Sequence, residues 1–216
     1  MGRISIRLSA LWLNAFAFGL LIFTPSLADT VDTKHRFLID GKRLYFNSYI
    51  ASPDSRKTSI EMRDADTLRR ILRLNPSIDN LIITSKGGSL RAAEEIMSTV
   101  FEFGLDTTAN GPCESACAII FLAGKKRQVI GETQLGFHRP TIDGDAELKY
   151  LEKYKSITLP NYIERVYEIG QRDVLKMVKL LSQQEISLEF LMEAYASPEL
   201  WYPKREELKE ANIIQN

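Results

Sequence analysis

Residues 81–127 read LIITSKGGSLRAAEEIMSTVFEFGLDTTANGPCESACAIIFLAGKKR, and the punctuation of this stretch decides the fold. Leu81–Thr84 is a short apolar run of the kind buried on both faces of a sheet. Ser85–Ser89 carries Gly87-Gly88 and predicts a tight turn. Leu90–Phe103 places Ala92, Ala93, Ile96, Met97, Val100 and Phe101 at helical spacing. Leu105–Ala109 then reads as a second strand, Gly111–Ser115 as a second turn and Ala116–Ala123 as an apolar helix. The order strand, glycine turn, helix, strand, turn, helix predicts an α/β fold with largely parallel strands.

Working outward, Phe37–Ile50 has aromatic and β-branched residues around Asp40-Gly41, a hairpin signal. Asp29–Arg36 is polar and is read as a loose arm. Ser52–Lys57 is a loop, and the later part of Thr58–Leu74 a helix that stops before Asn75-Pro76. On the other side, Gln128–Ile130 and Gln134–Phe137 are strand candidates. Asp145–Glu185 is charged and helical in pattern, with Pro160 dividing it in two. Short helices are expected over Ile186–Tyr195 and Arg205–Ala211. No internal repeat or low-complexity segment is present.

The chain has 216 residues, 44% hydrophobic and 26% charged, which places it among globular proteins. Lys plus Arg and Asp plus Glu are both 28, so the net charge is zero. That balance argues against a nucleic-acid partner, which selects a basic excess. Arg3 and Arg7 precede an apolar run, Leu8–Phe23, followed by Ser26-Leu27-Ala28. This is read as a secretory signal, residues 1–28, cleaved after Ala28; retention as an anchor is the alternative. Residues 29–216 are then a single domain with a helical insertion at 145–185. No second segment is apolar enough to span a bilayer, so no stable membrane span is expected after cleavage. Losing Arg3 and Arg7 leaves a slight acidic excess.

Two cysteines and two histidines narrow the chemistry. Gly87-Gly88 ends a strand and can present backbone N–H groups; by itself it is an ordinary strand-to-helix turn. Ser115 precedes an apolar helix, where a serine alone is most often an N-cap. Small neighbours at Ala116 and Ala118 leave room for a substrate carbonyl, and the helix dipole favours an oxyanion there. His138, in Leu135-Gly-Phe-His-Arg-Pro140, stands at a strand end. A serine nucleophile needs a base, and with His35 in the arm, His138 is the candidate.

Three motifs now stand in order: strand-SKGGSL, then CESACAIIFLAGKKR, then LGFHRP. Together they resemble the Clp protease proteolytic subunit and its crotonase-like superfamily, and more closely its periplasmic or secreted relatives in Gram-negative bacteria. The resemblance spans about Leu44 to His138, with a weaker echo in Tyr202–Ile214. It implies a spiral of strand-turn-helix units and a serine peptidase working through an acyl-enzyme on peptides or unfolded protein. It implies Ser115 as nucleophile, His138 as general base, and an oxyanion hole from Gly87 or Gly88 with Ala116. Lys86 stands where the family has proline. The family's third residue, an aspartate, aligns near Leu200, so Glu199 is the candidate acid, with a backbone carbonyl behind the imidazole as the alternative. The insertion replaces the family's handle region, so its ring assembly is not carried over; a homo-oligomer remains among the expected states. No cofactor and no metal is expected. Two other readings stay open: a catalytically inactive Clp-like scaffold or binding module, and, ranked last, acyl-thioester chemistry.

Cys113 and Cys117 straddle Ser115. Their Cα atoms would lie about 6 Å apart on a helix, inside disulfide range. A disulfide and two buried thiols are the main alternatives; zinc held with His138 matches no common spacing.

Overall fold

The computed structural model describes residues 35–53, 55–141, 151–153 and 158–215. The expected leader, residues 1–28, and the first part of the helical insertion lie outside the described residues.

Six strands form one sheet: β1 (Phe37–Asp40), β2 (Arg43–Asn47), β3 (Asn80–Ser85), β4 (Asp106–Glu114), β5 (Arg127–Val129) and β6 (Leu135–Gly136). The β1–β2 hairpin is antiparallel and turns at Gly41, where φ is +58°. All other pairings are parallel: β2 with β3, β3 with β4, and β4 with β5 and β6. The connections carry helices α1 (Met62–Leu74), α2 (Leu90–Phe103) and α3 (Ala116–Leu122). This is the α/β architecture that the alternating pattern predicts. Its core runs through Leu81, Ile83, Ile96, Met97 and Phe121, each fully buried.

The expected turn at Gly111–Ser115 is a correction: the strand continues to Glu114. Its first half pairs with β3 and β5, through Ala109, and its last residues with β6, Cys113 opposite Leu135 and Glu114 opposite Gly136. Between these halves the register against β3 shifts, from Ile83–Ala109 to Ser85–Cys113. Gly111, at φ +94°, makes that irregular stretch possible. The glycine signal was a bulge rather than a turn.

The loose arm also needs correcting at its end. Arg36 is buried, and its guanidinium grips both carboxylate oxygens of Asp64 at 2.7 Å and donates to the carbonyls of Ser48 and Ser59. A buried charge pair needs such saturation with partners.

Beyond residue 150 the described chain is largely helical. Residues 151–153 are helical, α4 spans Leu159–Leu181, α5 Leu188–Ala196 and α6 Arg205–Glu210. Pro160 sits in the first turn of α4, where its missing N–H costs nothing. Among the described residues no helix is long and apolar enough to cross a membrane.

Candidate active site

β4 ends at Glu114, α3 begins at Ala116, and Ser115 makes the corner with φ +55° and ψ −123°. These angles belong to the first central position of a type II′ turn, normally held by glycine. For serine such a backbone costs about 1–3 kcal/mol. Capping does not explain it, because the Ser115 side chain makes no cap hydrogen bond. Its Oγ lies 2.7 Å from Nε2 of His138. The cap reading therefore gives way to a serine–histidine pair.

Two contacts hold the corner from below. The Ser115 N–H donates to the carbonyl of Gly136 at 2.7 Å. Gly87, at φ +97°, lies directly against the corner: a Cβ there would fall 2.8 Å from the Ser115 Cβ and 2.9 Å from the Glu114 carbonyl oxygen. No side chain fits at Gly87.

His138 follows β6. Phe137 exchanges hydrogen bonds with Trp201, 2.9 and 2.8 Å long, and the Arg139 N–H donates to the Ser197 carbonyl at 2.7 Å. The segment 197–201 thus clamps the backbone on both sides of the histidine. Phe137 is buried, and its ring packs edge-on against Phe190 at 5.2 Å. Nδ1 of His138 lies 2.6 Å from the carbonyl oxygen of Arg139. A carbonyl only accepts, so Nδ1 carries the proton and the Nε2 lone pair faces the Ser115 hydroxyl. The tautomer a general base requires is set by main chain.

Glu199 is not behind the imidazole. It is exposed, in the short loop between the Ser197–Arg139 and Trp201–Phe137 bonds, and its own carbonyl accepts from the Ser197 hydroxyl at 2.7 Å. Clamping by backbone turns this stretch so that main chain, rather than the Glu199 carboxylate, meets the histidine segment. The carbonyl alternative is the one realised, through Arg139.

The glycine turn offers one usable donor. The Gly87 N–H is already bonded to the Ser85 Oγ at 3.0 Å. Ile60 donates to the Gly87 carbonyl and accepts from Ser89, which pins the turn while leaving the Gly88 N–H without an acceptor in the described chain. The Ala116 N–H, first in α3, is likewise unpaired. A Cβ at Gly87 would lie 3.1 Å from the Ala116 nitrogen, so the two segments are in contact.

Cys113 and Cys117 are joined by a disulfide, with Cα atoms 5.1 Å apart. That is shorter than the spacing of two such positions on one helix, because Cys113 lies in β4 rather than in α3. With the sulfurs bonded to each other and Nε2 facing Ser115, these residues do not form a zinc site. Among the described residues no cluster of metal-binding side chains occurs.

Around the site stand contacts that sequence reading did not give. The Tyr202 hydroxyl donates to Glu114 at 2.9 Å, and Lys86 places its ammonium 5.8 Å from the Tyr49 ring centre. Burial, helped by the Glu114 charge, pushes the Tyr49 hydroxyl up from its usual pKa. Trp201 and Ser197 act through backbone atoms, which leave no mark in a sequence.

No protein-family model and no curated protein matches the chain. Among solved structures, that of a single-residue mutant of ClpP1 from Listeria monocytogenes aligns with a TM-score of 0.47 and 20% identity. The alignment covers 72% of this chain and 84% of that one.

Proposed function

We propose that this chain is a Clp-like serine peptidase, working outside the cytoplasm on peptides or unfolded protein through a Ser115–His138 dyad. The observation that carries the reading is the 2.7 Å contact between Ser115 Oγ and His138 Nε2, made at a backbone corner that capping does not require. The three ordered sequence motifs support it. In the proposed reaction Ser115 Oγ attacks the scissile carbonyl while Nε2 takes its proton. The oxyanion is received by the N–H groups of Gly88 and Ala116, each such donor being worth about 2.7–4 kcal/mol to the transition state. His138 then protonates the leaving amine, the acyl-enzyme forms, and water enters by the reverse sequence. No cofactor takes part. The Arg139 carbonyl holds the ring but brings no full charge to the imidazolium, so turnover is slow beside a carboxylate triad. Export is supported by the leader-like residues 1–28 and by the bonded cysteines, which persist in oxidising compartments.

The test is covalent labelling of the purified chain with a fluorophosphonate probe. Wild type labels on Ser115, Glu199→Gln labels at the wild-type rate, and Ser115→Ala does not label while keeping its unfolding midpoint. A folded wild type that never labels overturns the peptidase reading. One observation favours a second reading, a non-catalytic Clp-like scaffold: a carbonyl stands where a triad has its acid. On that reading the 145–185 insertion docks a partner, and Ser115→Ala still co-purifies with it.

A further inference from the structure

Ser115 keeps a left-handed backbone that an L residue holds only where its surroundings enforce it. The non-covalent hold on the corner is one backbone bond, from the Ser115 N–H to the Gly136 carbonyl, and the packing of Gly87 against it. β4 reaches the corner through a register shift, so Asn110–Pro112 drop out of the ladder with β3. Beyond the shift the strand meets β6 over two residue pairs. One covalent link spans the corner. The Cys113–Cys117 disulfide closes a ring that contains Glu114, Ser115 and Ala116. That ring therefore holds both the nucleophile and one of the two unpaired backbone donors. Cys113 is locked in the sheet and Cys117 in α3, both fully buried. With the bond in place, Ser115 cannot swing to an ordinary negative φ unless Cys113 leaves the sheet or Cys117 leaves the helix.

We propose that the Cys113–Cys117 disulfide is a positioning element for the nucleophile, so that the Ser115–His138 pair is assembled in the oxidised chain and parts in the dithiol chain. The inference rests on the peptidase reading of Ser115. The conversion is a two-electron exchange. A small-molecule dithiol gives two electrons and two protons to the S–S bond, leaving two cysteine thiols, and closes to its own disulfide. Oxidation by a disulfide donor runs the exchange backwards. Both cysteines are buried, so the exchange is made in the opened or unfolded chain, and an oxidising compartment becomes a condition for turnover.

The experiment compares oxidised wild type with Cys113→Ala/Cys117→Ala at a temperature well below both unfolding midpoints. The readings are the fluorophosphonate labelling rate and the kcat and KM for a peptide ester. Labelling rate and kcat fall about a hundredfold in the double variant, the scale of loss from an ångström-sized misplacement. KM stays within about twofold, as for an interaction made in the transition state. A link that only stabilised the fold would lower the midpoint and leave the labelling rate unchanged, so equal rates overturn the proposal. If the double variant does not fold, wild type refolded in excess dithiothreitol, with its two thiols counted, is read in the same way. A chain that folds only when oxidised makes the bond a requirement of the fold and overturns the positioning role. Failure of oxidised wild type to label removes the peptidase reading and this inference together; labelling of wild type at the variant's rate removes the inference alone.

Discussion

Ser115 and His138 were legible as residues because each is announced by neighbours at short range: small residues after the serine, a strand, glycine and proline around the histidine. Glu199 was not legible, since its assignment depended on aligning a tail, and what settles the imidazole is a main-chain oxygen that any residue at position 139 would supply. Glu94 escaped notice for a related reason. It looks like a surface position of α2, yet it is 4% exposed beside a cavity of about 780 Å³ between α2 and α4, lined also by Arg91, Arg172 and Lys176. Burial pushes its carboxyl above the usual range, against the opposing pull of Lys176 at 3.2 Å, and its Oε1 has no partner. A carboxyl raised in the folded state holds its proton more tightly there than in the unfolded chain. Stability is therefore greatest below the unfolded value and falls as pH rises from about 4.5 through the raised value. Glu94→Gln should abolish this downward slope and leave the variant at least as stable as wild type at neutral pH, with Lys176 retained by Glu95. Urea titrations across the acid-to-neutral range check it; an unchanged slope would contradict the assignment.

At the scale of elements, the strands and helices of residues 81–127 could be read because a parallel sheet buries its strands on both faces and punctuates them with glycine. The course of β4 past Gly111 could not, because a bulge and a turn place the same demand on a glycine. Nor could the part that one buried side chain plays in attaching the C-terminal segments. Arg127 of β5 is 1% exposed, and its guanidinium donates to the carbonyls of Gly124, Asn212 and Ile213 and to the side chain of Gln184. It joins β5, the short 3-10 turn Ser182–Gln184 that follows α4, and the chain beyond α6. Sequence shows only a basic residue in Gly124-Lys-Lys-Arg127, as compatible with solvent as with the core. Arg127→Met keeps the volume and removes every donor, leaving several buried carbonyls unpaired. A loss of about 3 kcal/mol in unfolding free energy is expected. Amide exchange should accelerate first over Ile213–Gln215, whose backbone meets Arg127. Protection there equal to wild type would show that the anchor lies elsewhere.

At the scale of the molecule, the site is assembled from four stretches far apart in the chain: the glycine turn, the Ser115 corner, the strand end at His138 and the clamp at 197–201. Every parallel pairing needs a crossover before it can form, and such non-local contacts are slow to assemble. The clamp is the most distant of the four. After dilution of the oxidised chain from denaturant, far-ultraviolet circular dichroism should recover before fluorophosphonate labelling of Ser115 does. Labelling that returned with the earliest phase would contradict this order. The same geometry gives a chain under synthesis a form of latency. With residues 197–201 still unmade, the serine, its donors and the histidine all exist, but Phe137 and Arg139 have nothing to pair with, and the imidazole lacks a fixed perch. On the peptidase reading, a chain whose 197–201 clamp completes the base has no working dyad until that clamp is made. The order in which the chain emerges supplies that delay.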